Sequence, residues 1–346
     1  MDHTFWSSRA RSLHPYTAGE QPKVKLIKLN TNENAYPPSP HVEQAVRQAC
    51  HDLQAYPPPD GGIFREAAAE LNGLDKDEIY CANGSDEALA LSFMAFFDPD
   101  IPIHTLDVTY SFYPVWAQLY DMQLEPVPVE EDFSVFTAGF ANARSVVIAN
   151  PNAPTGIELA PELLEEIIAG TPGPVIVDEA YMGFGAVSVL PLIRKYDNLI
   201  VVRTLSKAYS LAGLRAGYVA ANPGLIEALE TVRDSFNSYP VDRLAIAAAT
   251  AALDDQAWHQ ACCRRIVATR DHTREVLMDL GYNVLPSKAN FLFVECRDAK
   301  GVFQALRDRN ILVRYFGGER TASHLRVTIG TEPEMAVFLR AMEELR

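Results

Sequence analysis

The sequence predicts an α/β protein: a large domain with a mostly parallel central sheet sandwiched by helices, plus a smaller α+β domain. Three observations lead there. Between residue 79 and about 220, short apolar runs of strand length alternate with helical stretches. Runs of that kind are buried on both faces, as parallel strands are. The length of 346 residues corresponds to about two domains and is ample for a large core. The last third changes to helices followed by short strands.

Taken in order, Pro-rich stretches at Tyr36–Pro40 and Tyr56–Gly62 are ordered loops, since neither interior helix nor central strand tolerates them. Between and after them, helical periodicity predicts helices over Pro40–Leu53 and Phe64–Leu71. Strands are expected at Ile79–Ala82, Ile101–Thr105, Ser145–Ala149, Val175–Val177, Leu199–Arg203 and Ala216–Ala220, with helices at Asp86–Phe97, Pro161–Ala169 and Pro191–Tyr196. Three further helices follow at Asn222–Ser235, Val241–Leu253 and Ala257–Leu280. Beyond Gly281 come an edge-like strand (Phe291–Glu295), a helix (Lys300–Asp308) and two short strands (Leu312–Tyr315, His324–Ile329). The large domain is expected over 40–250. Segments 1–39, without helix-forming content of their own, and 251–346 together build the small one.

Hydrophobic residues at 48% and charged residues at 22% exclude a disordered chain. The 45 acidic against 30 basic residues give a net charge of −15, which argues against nucleic acid as a partner. Cys50, Cys81, Cys262, Cys263 and Cys296 have no metal-ligand or disulfide-framework spacing, so no metal is expected and the compartment is a reducing one. The start lacks the apolar segment of a secretory signal, and the longest apolar runs are half a membrane span. A cytoplasmic protein without membrane contact is expected.

Chemistry collects just after the strands. Asn83-Gly84-Ser85-Asp86-Glu87 is a turn opening a helix, whose free amides and small hydroxyl make an anion seat. Asn150-Pro151-Asn152-Ala153-Pro154-Thr155-Gly156 leaves a second strand tip, and Asp178-Glu179-Ala180-Tyr181 puts an acid at a third. Thr204-Leu205-Ser206-Lys207 ends a fourth, with Arg215 eight residues on. Together they specify a ligand with a phosphate, a ring bearing a basic nitrogen, and an aldehyde that a lysine can capture. Pyridoxal 5'-phosphate meets that specification.

On these motifs the chain resembles the fold-type I pyridoxal-phosphate-dependent transferases of the aspartate aminotransferase superfamily. The resemblance implies that Lys207 holds the cofactor as a Schiff base and shuttles a proton. It implies that Asp178 pairs with the ring nitrogen, Tyr181 hydrogen-bonds the ring's phenolic oxygen, and Tyr110 stacks on the ring. Ser85, Asp86, Thr204, Ser206 and Arg215 would hold the phosphate, with Tyr56 reaching it from the partner subunit of a homodimer. Ala153 stands where the superfamily usually has Asn. Either Asn152 supplies the missing amide or Tyr181 carries the phenolic oxygen alone.

Outside the cofactor motifs, Leu29–Asn34, Tyr56–Gly61, Tyr110–Tyr113, Leu312–Phe316 and Leu325–Thr331 resemble the histidinol-phosphate aminotransferase family. That implies ping-pong transamination of histidinol phosphate and 2-oxoglutarate to imidazole acetol phosphate and glutamate, in histidine biosynthesis. Arg326 and Arg314 are the candidates for binding carboxylate and phosphate, with Tyr16 and Asn32 lining the same pocket. An aromatic-amino-acid aminotransferase and a threonine-phosphate decarboxylase-like lyase share these motifs and stay open.

Overall fold

The computed structural model describes residues 4–24 and 26–346. A two-residue strand, β1 (Ile27–Lys28), comes first. Seven strands then form the large sheet: β2 (Ile79–Ala82), β3 (Ile103–Leu106), β4 (Leu124–Val127), β5 (Val146–Ala149), β6 (Val175–Asp178), β7 (Leu199–Thr204) and β8 (Gly217–Ala221). Their order is β2-β8-β7-β6-β5-β3-β4. The five strands from β7 to β4 are mutually parallel, while β8 runs antiparallel to both neighbours. This is the mostly parallel α/β sheet expected.

Each central strand is apolar on alternating sides, and each side has its own helical cover. Val146, Ile148, Val175, Val177, Leu199 and Val201 pack with the helices Ile63–Asn72, Pro161–Gly170 and Arg243–Asp254. Val147, Ile176, Ile200 and Val202 point the other way, against Gly84–Phe96, Tyr113–Leu119 and Pro223–Phe236. The strands are therefore held from both faces, and their carboxyl ends are fixed points.

The C-terminal third contains the 24-residue helix Gln256–Asp279 and five strands: β9 (Asn283–Val284), β10 (Phe291–Glu295), β11 (Ile311–Leu312), β12 (Arg314–Tyr315) and β13 (His324–Thr328). Four of them make an antiparallel sheet ordered β12-β13-β10-β9. Strand β11 instead pairs in parallel with β1, tying the N-terminal segment to this end of the chain. Their apolar faces share a cluster with the helices Ala299–Asp308 and Glu332–Glu344.

Several expectations are corrected. Phe291–Glu295 is not an edge: β13 and β9 flank it, and four of its five residues are buried. The run Leu312–Tyr315 divides between two sheets, with Val313 at the crossing. Pro191–Tyr196 is a 3-10 turn over Leu190–Arg194. The N-terminal stretch does hold one short helix, Ser8–Ser12, capped by the Ser7 hydroxyl.

Beside the carboxyl end of β6 lies a buried ion pair. The Glu179 carboxylate, with no exposed side-chain surface, accepts from Arg203 Nε at 2.6 Å, from Ser188 Oγ at 2.8 Å and from the Val189 amide at 2.8 Å. Removing the cation would leave a buried charge short of its partner, a change that costs about 3–5 kcal/mol. Arg203→Met is therefore expected to lower the unfolding free energy by about that amount in a denaturant titration. A loss within experimental error would show that the pair does not hold this edge of the sheet.

Candidate active site

The carboxyl ends of β5, β6 and β7 open into a cavity of about 350 Å³. Ala149 ends β5, Asp178 ends β6 and Thr204 ends β7, with Ser206 and Lys207 in the turn that follows; all line the cavity. Ligands of open α/β sheets bind at such ends. The opposite wall comes from the two ends of the chain, through Tyr16, Thr31 and Asn32 on one side and Arg314 and Arg326 on the other.

One end of the cavity is an anion cradle. The helix Gly84–Phe96 begins there, presenting its unpaired first amides. Arg215, in a left-handed backbone conformation (φ 51°), lays its guanidinium against the helix start. A Cβ on Gly84, itself at φ 81°, would lie 2.8 Å from Arg215 Nη2, so glycine gives the guanidinium its room. Asp86 accepts from Arg215 Nη2 at 2.7 Å and from the Tyr110 hydroxyl at 3.0 Å. Its carboxylate thus aims the guanidinium, and the cradle's donors are the helix amides, Arg215 and the hydroxyls. Of these, Thr204 Oγ1 donates to Ser206 Oγ at 3.0 Å.

The middle holds two titratable groups, Asp178 buried and Lys207 half-buried. Burial pushes the Asp178 carboxyl up to about 7, against the lowering effect of bonds donated by the Ala180 amide and, at 3.1 Å, the Tyr113 hydroxyl. Burial, with Arg326 nearby, pulls the Lys207 amine down to about 8. Lys207 Nζ donates to the Thr31 carbonyl at 3.1 Å. Tyr181 stands edge-on to Phe291 at 5.0 Å, and its hydroxyl accepts from Asn32 Nδ2 at 2.9 Å.

The far end is cationic. Arg314 and Arg326 face each other across β12 and β13. Like charges directly opposite in a sheet are destabilising, so an anion between them relieves the pair. Arg326 is half-buried; its Nη2 donates to the Asn30 carbonyl at 3.0 Å, while its buried Nε has no hydrogen-bond partner among the described residues. Desolvation holds its pKa below the usual guanidinium value. Arg314 Nη2 donates to the Thr17 carbonyl at 3.1 Å, and nearby Tyr16 stacks on Phe112 with centroids 4.7 Å apart.

Residues 24–342 match the family described as aminotransferase class I and II. The chain belongs to that family. It is 45% identical to histidinol-phosphate aminotransferase from Acinetobacter baumannii (strain AYE), covering 98% of this chain and 97% of that one. With the enzyme of that name from Chromohalobacter salexigens it shares 46% identity over 98% of each. Among solved structures it is similar to histidinol-phosphate aminotransferase from Sinorhizobium meliloti in complex with pyridoxal-5'-phosphate. There the TM-score is 0.89 at 27% identity, with 99% of this chain and 97% of that one covered.

In this aminotransferase, the cavity gathers Ser85, Asp86, Tyr110, Asp178, Tyr181, Thr204, Ser206, Lys207, Arg215, Arg314, Arg326, Tyr16 and Asn32. Two expected residues stand apart. Asn152 spends its amide on two loops, donating to the Val108 carbonyl after β3 at 2.8 Å and to Thr155 Oγ1 of its own loop at 3.2 Å; Ala153 lines the cavity instead. Tyr56 is 80% exposed and stacks on Tyr239 at 4.8 Å, outside the cavity of its own chain. Sequence reasoning missed two contributors. Tyr113, at the end of the aromatic stretch that carries Tyr110, binds Asp178, and the Thr31 carbonyl, a backbone group, leaves no side-chain signal.

The Asp178 shift sets a pH dependence. Its folded value, about 7, exceeds the ordinary 3.8, so its contribution to stability is present at acid pH and is lost as pH rises through about 7. For the chain freed of small molecules, melting temperatures across pH 4–8 should therefore fall relative to those of Asp178→Asn as pH rises. A difference between the two proteins that does not change with pH would contradict the assigned shift.

Proposed function

We propose that the chain is a pyridoxal-phosphate-dependent aminotransferase. It would interconvert histidinol phosphate and 2-oxoglutarate with imidazole acetol phosphate and glutamate, in histidine biosynthesis. The observation that carries this reading is a cavity with a lysine and an acid at its centre and separate guanidiniums at its two ends. Full-length identity of 44–46% to relatives named histidinol-phosphate aminotransferase supports the choice of substrate.

The residues present fit the cofactor. The helix start, Ser85, Thr204, Ser206 and Arg215 match a phosphate, Arg215 through its planar fork. The Gly84 cradle would be filled by any Cβ. When bound, the cofactor supplies an electron sink for charge that develops at the substrate Cα. Lys207 Nζ would bond the cofactor and, once released by a substrate amine, carry a proton to and from that Cα. Its pKa near 8 leaves a neutral fraction available for this near neutral pH. Asp178 would hold a proton on the ring nitrogen, Tyr110 would support the ring, and Tyr181 would donate to its phenolic oxygen.

At the other end, Arg326 and Arg314 receive the glutamate carboxylate or the substrate phosphate in turn. Guanidinium geometry suits both anions, as a ping-pong site requires. Tyr16 closes this side, and Asn32 lines it with its polar atoms bonded to protein. We assign the large domain to 40–250 and the small one to 1–39 with 251–346. Two apolar clusters support that division in the main, although Leu285 and Phe293 join the first and Phe184 and Ala208 the second. The enzyme is assigned to the cytoplasm as a homodimer in which Tyr56 reaches the partner's phosphate cradle. Exposed Leu53, Tyr56, Ile63, Phe236 and Tyr239 offer apolar surface for such an interface.

Purified protein should turn over histidinol phosphate with 2-oxoglutarate faster than phenylalanine, and should not decarboxylate threonine phosphate. Borohydride should fix the cofactor on Lys207, and Lys207→Ala should abolish turnover; label on another lysine would overturn the assignment. Arg326→Ala should raise KM for both substrates by about tenfold or more, as loss of a hydrogen bond to a charged group does. Sedimentation should give a dimer, and a fully active monomer would remove the role of Tyr56.

A further inference from the structure

Asn32 sits in an unusual backbone state and is held at every polar atom it has. Its φ is 54°, in the left-handed region that asparagine tolerates better than most residues. Its amide donates to Thr328 Oγ1 at 2.9 Å, and its carbonyl accepts from Asn290 Nδ2 at 3.0 Å. Its Oδ1 accepts from Thr328 Oγ1 at 2.9 Å, and its Nδ2 donates to the Tyr181 hydroxyl at 2.9 Å. Asn32 and Thr328 are almost fully buried, and Thr328 is the last residue of β13, inside the antiparallel sheet. Strain kept in place by so many contacts is a sign of a positioned group.

The chemistry of the contact has a direction. A carboxamide nitrogen can only donate, so the Tyr181 oxygen must accept there. The hydroxyl has one proton, which is left to point elsewhere, into the cavity that Tyr181 lines. The other nearby amide does not compete, because the Asn152 amide is spent on the Val108 carbonyl and Thr155 Oγ1, and Ala153 presents only a methyl group.

We propose that Asn32 is a positioning residue that fixes the Tyr181 hydroxyl as a donor into the cavity, doing from the opposite wall what no side chain at residue 153 does. In the functional reading above, on which this part rests, the acceptor is the cofactor's phenolic oxygen. A donor aimed before the anion arrives costs no reorganisation when it binds.

Two substitutions keep the backbone state and change the chemistry. Asn32→Asp is isosteric and turns the donor into an acceptor, so the Tyr181 proton is drawn back from the cavity. Asn32→Gly keeps the positive φ and deletes the amide. In the cofactor-free chain, the Tyr181 Raman Fermi doublet, isolated by subtracting Tyr181→Phe, should change in both variants. An unchanged doublet would overturn the proposal whatever the cofactor does. With pyridoxal phosphate titrated by fluorescence, Asn32→Asp should weaken binding and lower kcat by about tenfold each, with KM for glutamate within about twofold. Asn32→Gly should have little further effect on either quantity in a Tyr181→Phe background. An equal loss in both backgrounds would make Asn32 a merely structural residue and sink the idea. A changed doublet in a chain that binds no pyridoxal phosphate would instead refute the functional reading and leave the hydroxyl's orientation standing.

Discussion

An acid and an amine share one cavity, and each is held off its ordinary pKa by burial and not by the other. Asp178 is raised chiefly by loss of water, and Lys207 is lowered chiefly for the same reason. Two such groups can be kept apart only by a frame stiff enough to stop them from collapsing into an ion pair. The frame is the parallel core of the sheet. Asp178 ends a strand paired on both sides, to Ala149 and to Val202, and Lys207 leaves the adjacent strand after a turn held by Thr204 and Ser206. The Glu179–Arg203 pair directly behind Asp178 anchors the same strand end.

Charge is organised on two scales. Over the whole chain acids outnumber bases by fifteen, yet among the described residues the cavity lining brings Lys207, Arg215, Arg314 and Arg326 together with two carboxylates, Asp86 and Asp178. A low-dielectric cleft focuses such local charge, so the site's field can oppose that of the surface around it. Asp86 has a share in this, since it spends its charge on orienting Arg215. At the far end of the cavity, the buried Nε of Arg326 has no hydrogen-bond partner among the described residues.

Much of the fold was legible because parallel strands buried on two faces leave unbroken apolar runs, and the polar residues that end them mark the sheet's carboxyl edge. The same physics explains what was not legible. Strand β4 reads Leu-Glu-Pro-Val and is exposed at two of four positions, so its sequence looks like a loop. Helix Tyr113–Leu119 is short and aromatic, with no polar face to give it a period. In the site, motifs were visible where chain neighbours cooperate, as in Thr204 to Lys207. Contacts made across the fold were not. Asn32 meets Tyr181 over 149 residues and Thr328 over 296, and no spacing rule reaches that far. The orientation of Asn152 was hidden for a related reason: a carboxamide serves a cavity or its own loop equally well until the backbone is known.

The pairing of β1 with β11 also sets an order of assembly. A chain growing from a ribosome can form the large sheet, with Asp178 and Lys207 in place, well before residues 311–328 exist. Until they do, β1 has no neighbour, Asn32 has no Thr328, and the wall carrying Arg314 and Arg326 has not been made. Such long-range pairings are slow to close because the loop entropy is paid first. The end of the cavity around Gly84 and Arg215 is therefore ready early, and the end around Arg314 and Arg326 late. An incomplete chain could hold the one and would lack the other.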